Sequence, residues 1–122
     1  MAVKSYRDLI VWQKAMDLSV EIYRVSEAFP NEERFGLISQ VRRSSVSIVA
    51  NIAEGFGRDS KRDFVRYLRI SQGSLKETET HLLLSQRLGM VDGKQMEAGL
   101  SLSDEIGKML RSLIARIEQE LK

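Results

Sequence analysis

The stretch Arg42-Arg43-Ser44-Ser45-Val46-Ser47-Ile48-Val49-Ala50-Asn51-Ile52-Ala53-Glu54-Gly55-Phe56-Gly57-Arg58 reads as one helix, with charged, amide and carboxylate groups set among small and apolar residues. Leu37, Val41, Ser45, Ile48, Ile52 and Phe56 recur at three- and four-residue steps and give this helix one apolar face. It is not an ordinary amphipathic surface helix. A buried polar group without a partner costs about 1–3 kcal/mol, so Asn51 and Glu54 are expected to pair inside the protein or where something else pairs them.

Working outward, the punctuation repeats the helical reading. Pro30-Asn31-Glu32-Glu33 supplies a start signal for this second helix, with Asn31 as N-cap and two acids in the positive first turn, and Gly55 and Gly57 mark its end. Upstream, Ser5-Tyr6-Arg7-Asp8 has a capping-box pattern and opens helix one. That helix carries Leu9, Trp12, Met16, Val20, Tyr23 and Phe29 and stops before Pro30. Helix three restarts at Ser60, with Asp63 three residues on. Its stripe is Phe64, Leu68, Leu75, Leu82 and Leu88, interrupted by Ser71 and Thr78, and Gly89 is the stop. Asp92 caps helix four, which runs through Met96, Leu100, Ile106, Leu110, Leu113, Ile117 and Leu121. Short connections place consecutive helices antiparallel, so the expected fold is an all-α, up-down-up-down four-helix bundle in one domain, residues 1–122.

Composition narrows the class. The absence of cysteine excludes a disulfide framework and a thiolate zinc site. Met1-Ala2-Val3-Lys4-Ser5-Tyr6 lacks the apolar run of a signal peptide, and no apolar run approaches the roughly 20 residues that span a bilayer. A cytoplasmic protein without a membrane association is expected.

Helix one begins Leu9-Ile10-Val11-Trp12 and helix three contains Leu82-Leu83-Leu84, so both are apolar over more than one face. One bundle core absorbs one stripe per helix. The surplus predicts a second buried surface between subunits, and hence a homo-oligomer.

No reaction chemistry emerges from the spacing, and a non-enzymatic protein without a cofactor is expected. A carboxylate-bridged metal pair in a bundle needs two Glu-x-x-His elements, whereas this chain has the single His81, four residues after Glu77. That pattern reads as a surface or interface histidine. Ser44, Ser45 and Ser47 have no nucleophile elbow around them, and Gly55-Phe56-Gly57 lacks the Lys-Ser/Thr of a phosphate loop and reads as a terminator and turn.

Charge is the sharper signal. The net formal charge is +2, but between Gln40 and Lys76 eight basic residues face three acids, a local +5 that leaves −3 for the rest. Arg58, Lys61, Arg62, Arg66 and Arg69 flank the turn into helix three, and the last four recur at steps that share a face. Such a stripe suits backbone phosphates, with Tyr67 as a stacking group. The competing reading is a solvated basic helix face. Arg42 and Arg43 project about 100° apart, so at least one points inward and wants an acid. Glu54, Glu77 and Glu79 are the candidates, with Asn51 completing a polar network between helices two and three or across a subunit boundary.

Leu9-Ile10-Val11-Trp12-Gln13-Lys14-Ala15-Met16, Phe29-Pro30, Gln40 to Ile48, Asn51-Ile52-Ala53-Glu54-Gly55 and Gly73 to Thr80, in that order, resemble the bacterial "four helix bundle protein" family, also called the 23S rRNA-intervening-sequence protein family. The resemblance runs to Met90, with helix four similar in pattern. It implies an antiparallel bundle, commonly a pentameric ring. Members are encoded within intervening sequences of large-subunit rRNA genes, and relatives are accessory proteins of diversity-generating retroelements, whose basic surface contacts nucleic acid and a reverse transcriptase. By that resemblance Arg42, Arg43, Asn51, Glu54, Glu77 and Glu79 are structural or interface residues. The weak overall charge departs from the more basic retroelement relatives.

The expectation is therefore an oligomeric helical protein that binds RNA or a nucleoprotein partner through Arg58, Lys61, Arg62, Arg66 and Arg69. The alternative is a protein-binding scaffold with no nucleic-acid role.

Overall fold

The structure, a computed structural model, describes residues 3–33 and 35–122; Met1 and Ala2 of the amino-terminal stretch, together with Arg34, lie outside them. Four helices follow one another: α1 (Ile10–Ser26), α2 (Leu37–Phe56), α3 (Lys61–Arg87) and α4 (Gly93–Glu120). Among the described residues there is no strand.

Each helix touches its two neighbours in a closed square, α1 to α2 to α3 to α4 and back to α1. The contacts run in opposite senses along every neighbouring pair. Ser19 meets Ser45 while Ser26 meets Arg42; Ser47 meets Ser74 while Ser44 meets Thr78. Leu75 lies against Gly107 while Leu82 lies against Gly99, and Lys14 pairs with Glu105 while Glu21 approaches Gly99. All four neighbouring pairs are thus antiparallel.

The core is built from one stripe per helix. Val11, Ala15, Leu18, Ile22 and Val25 of α1 meet Val41, Ile48 and Ile52 of α2, Leu68, Leu75 and Leu82 of α3, and Met96, Ile106, Leu110 and Ile114 of α4. Burying each of the larger side chains contributes about 1.5–3 kcal/mol. For α1 this overturns most of the expected stripe, of which Phe29, just beyond the helix, is buried in the core. Met16, Val20 and Tyr23 are exposed, and Leu9 and Trp12 are only partly buried. Both stripes have helical spacing, and spacing alone does not say which of two apolar faces meets the chain's own core. In α3, Leu88 is exposed, while Ser71 and Thr78 are fully buried in the α2 seam rather than interrupting the packing.

The helix ends show where local chemistry succeeded and where it was overridden. Ser60 accepts from the Asp63 amide and Asp92 from the Gln95 amide, so both are N-caps as expected; Gln95 in turn accepts from the Asp92 amide, completing a capping box. After Leu88 the chain turns through Gly89 at φ 76°. The Gly89 and Met90 amides return to the Gln86 and Ser85 carbonyls, the Schellman pattern that needs a left-handed residue.

Two helix starts differ from expectation. Ser5 caps only a 3-10 turn, Tyr6–Asp8; Leu9 is extended, and α1 begins at Ile10. Asn31–Glu33 is likewise a 3-10 turn, and α2 starts at Leu37, whose amide donates to Glu33 Oε1 at 3.3 Å. Glu33 therefore supplies the acceptor that Asn31 was expected to supply. A Cβ on Gly36 would sit 2.8 Å from that same oxygen, so glycine keeps the approach open. α2 ends at Phe56 with Gly57 as its C-cap, at the paired glycines as expected, and Gly55 has a packing role in its last turn. A Cβ there would lie 2.6 Å from Tyr67 Cβ and 3.1 Å from Phe64 Cδ1, so its absence is what lets α2 and α3 close together.

Candidate functional site

Small residues dominate the α2–α3 seam, and hydroxyls rather than charges knit it together. Ser44 Oγ lies 2.8 Å from Thr78 Oγ1, Ser47 Oγ lies 2.8 Å from Ser74 Oγ, and Ser71 donates to the Ile48 carbonyl at 2.9 Å. Asn51 folds its amide back onto Ser47, donating to the carbonyl at 2.8 Å and to Oγ at 3.1 Å, and so reaches α3 only through that serine. Its amide is satisfied inside the protein.

Of the paired arginines, Arg42 turns inward and Arg43 is exposed. Arg42 meets no acid among the described residues. Its Nε donates to Ser26 Oγ at 2.8 Å, its Nη2 donates to the Tyr23 carbonyl at 3.3 Å, and its guanidinium lies 4.5 Å from the Tyr23 ring centroid. These groups sit in the last turn of α1, where the dipole is negative, and the Tyr23 carbonyl, which also accepts from the Glu27 amide and Ser26 Oγ, takes Arg42 as a further donor. The helix end replaces the expected carboxylate. Glu54, Glu77 and Glu79 face other partners: Glu54 pairs with Arg58 at 3.1 Å, Glu79 with Lys76 at 3.1 Å, and Glu77 lies 3.5 Å from His81 Nε2. That imidazole nitrogen is buried and makes no hydrogen bond among the described residues. Arg42, Arg43, Asn51, Glu54, Glu77 and Glu79 thus occupy separate clusters.

The basic residues at the α2–α3 turn are brought to one end of the bundle, and acids come with them. Lys61 pairs with Glu120 at 2.7 Å and Arg69 with Glu118 at 2.8 Å, both from the last turns of α4; Arg66 lies 3.6 Å from Asp63, and Arg58 holds Glu54. The Lys61 ammonium holds the Glu120 carboxyl below its ordinary range. Arg62 is exposed and makes no ion pair among the described residues. Tyr67 is not the free stacking group that its position suggested. The Arg58 and Arg66 guanidiniums lie 5.0 and 4.7 Å from its ring centroid, and its hydroxyl accepts from Arg58 at 2.6 Å. The phenol beside Arg58 is the largest cause raising that guanidinium's pKa, followed by the Glu54 bond. Glu118 and Glu120 had no signal in the sequence, because they lie 49 and 59 residues from the cations they neutralise.

A second surface is more continuous. Met16, Val20 and Tyr23 stand at i, i+4 and i+7 on the outside of α1; Val46, Ala50 and Ala53 stand at the same spacing on α2. Val20 is 68% exposed and Val46 42%. The antiparallel register, with Arg42 on Tyr23 and Ser45 on Ser19, sets the two stripes side by side. Ile10, Leu83 and Leu84, from the two surplus apolar runs, are also exposed.

Among the described residues, no helix is long and apolar enough to cross a membrane, and no three His, Cys, Asp or Glu side chains group as a metal site.

The sequence profile of the 23S rRNA-intervening sequence protein family matches residues 7–112. Among solved structures, a protein with unknown function from the S23 ribosomal protein family of Bacteroides thetaiotaomicron is similar, with 34% identity and a TM-score of 0.80. The match covers 86% of this chain and 98% of that one. No curated protein matches the chain.

Proposed function

Because the chain belongs to the 23S rRNA-intervening sequence protein family, whose solved neighbour is itself of unknown function, we propose that it is a non-enzymatic, self-associating helical scaffold that buries its outer α1–α2 face between copies. The observation that carries this reading is the pair of matched apolar stripes, Met16-Val20-Tyr23 and Val46-Ala50-Ala53. Each repeats with helical spacing beyond its helix's own core. Ala50 and Ala53 leave room for a partner backbone to approach closely, and Arg42, already stacked on Tyr23, contributes a donor-rich edge. Contiguous exposed apolar surface of this kind marks association sites.

Light scattering at micromolar concentration tests the reading. The wild-type mass should be a multiple of 13.9 kDa, and Val20→Glu with Val46→Glu should return it to that of one chain without loss of helicity. A monomeric wild-type protein overturns the proposal.

Nucleic-acid binding at the α2–α3 turn is the second reading, favoured by Arg62, whose exposed guanidinium holds no acid among the described residues. The neighbouring carboxylates reduce the field on which polyanion binding depends. RNA binding at low salt that weakens on charge removal at Arg62, Arg66 and Arg69 would support it. Absence of binding, or indifference to those changes, would end it.

A further inference from the structure

A concave groove of about 450 Å³ opens between the first turns of α1 and the second half of α4. Leu9, Met109 and Leu113 are partly buried along it, and Ile10, 54% exposed, forms one edge. Its charges answer one another. Lys108 pairs with Asp104 at 3.7 Å, the Arg116 guanidinium acts on the Glu120 carboxylate, and Asp8 adds a further negative charge to the lining. The groove therefore gives no advantage to an anionic group, and what it offers a partner is apolar surface.

A matching feature lies at the opposite end of the bundle. Phe35 is 90% exposed, more than any other large apolar side chain among the described residues. It precedes α2 in a turn closed by two bonds to Glu33: the Gly36 amide donates to the carbonyl at 3.0 Å and the Leu37 amide to Oε1 at 3.3 Å. Leu88, at the end of α3, is exposed at the same end of the bundle. An aromatic side chain buries about 150–250 Å² when it finds a pocket, and Phe35 finds none in its own chain. The 17 residues of α1, about 25 Å of helix, separate it from the groove, so no chain can fill its own groove with its own Phe35.

We propose that Phe35 of one copy inserts into the α1–α4 groove of another, its ring on Leu9, Met109 and Leu113 and against Ile10 at the rim. The chain carries both halves of this contact, one towards each end, and satisfies neither internally; that selects a second copy as the occupant. Unlike surfaces meet, so the contact is heterologous and joins copies head to tail. It is separate from the α1–α2 face and adds to the lateral association proposed above. One aromatic knob buries far less than the roughly 1,200–2,000 Å² of a stable interface, so the contact is populated at about millimolar rather than micromolar concentration.

The test uses full-length chains that all carry Val20→Glu and Val46→Glu, so its outcome does not depend on whether the lateral face associates. An isotope-labelled chain with Phe35→Ser keeps its groove and lacks the knob. It is titrated, to about 1 mM, with an unlabelled chain carrying Ile10→Glu and Ser112→Glu, which keeps Phe35 and has a blocked groove. Amide NMR shifts should centre on residues 9–11 and 109–116 and approach saturation, and adding Phe35→Ser to the titrant should weaken binding about tenfold or more. Equal shifts with both titrants, shifts centred elsewhere, or no shift would each overturn the proposal. So would a groove that responds to toluene and not to the Phe35-bearing chain, which would make it a small-ligand site. All the altered side chains are exposed, and if the blocked chain loses helicity, a titrant with its groove intact makes the same comparison.

Discussion

Ser44 Oγ and Thr78 Oγ1 lie 2.8 Å apart in the buried seam between α2 and α3, and each is also within reach of a carbonyl in its own helix, Val41 and Ser74 respectively. Two hydroxyl protons serve three contacts, so one carbonyl bond is given up whenever the cross-helix bond forms. Ser44→Ala and Thr78→Val should each cost about 1 kcal/mol in urea denaturation, and the double variant clearly less than their sum, because the cross-helix bond they share is lost only once. Strict additivity would show that the two hydroxyls do not interact.

Gly55 offers a test decided by sign. On propensity alone, alanine inside a helix is favoured over glycine by about 1 kcal/mol. Against Tyr67 Cβ at 2.6 Å it should instead destabilise, by about 1–3 kcal/mol, because the α2–α3 seam must open. A thermal scan of Gly55→Ala showing a higher Tm would refute the close-approach role.

Arg42 and Arg43 should behave as opposites despite their adjacency. Arg42→Ala removes bonds to Ser26 and to the end of α1 and should cost about 1–2 kcal/mol, whereas Arg43→Ala should stay within about 0.5 kcal/mol. Arg42→Lys should recover only part of the loss, since an ammonium cannot reproduce the fork and the stacking on Tyr23. Chemical denaturation of the three variants makes the comparison.

The ion pair between Lys61 and Glu120 predicts a pH response with a defined sign. Glu120 titrates below its ordinary value, about 4.3, when folded. Its contribution is therefore present above that value and disappears as pH falls through the lower, folded pKa. Carboxyl-carbon NMR should place Glu120 below the other exposed glutamates, and Lys61→Gln or 1 M salt should move it back up. An unmoved Glu120 in Lys61→Gln would assign the shift to another cause.

Much of the fold is legible in local spacing. Val41, Ile48 and Ile52, and Leu68, Leu75 and Leu82, form their helices' core stripes as the three- and four-residue steps indicate. Ser60, Gly89 and Asp92 mark helix boundaries through chemistry that acts over three to five residues. The same logic misplaced the start of α2, because the acceptor for Leu37 comes from Glu33 and the space for it from Gly36. It also chose the exposed face of α1 over the buried one, since both are apolar.

The candidate surfaces were less legible for the same reason. Glu118 and Glu120 neutralise Arg69 and Lys61 across 49 and 59 residues of chain, and no local pattern records such a pairing. By itself the sequence determined four helices, a shared apolar core and a local excess of basic residues, because periodicity, capping and charge are short-range properties. Only the tertiary structure decided which apolar stripe of α1 faces outward, that Arg42 caps a helix instead of meeting an acid, and that the basic turn is largely self-neutralised. Each of those outcomes depends on which helices become neighbours and at what register.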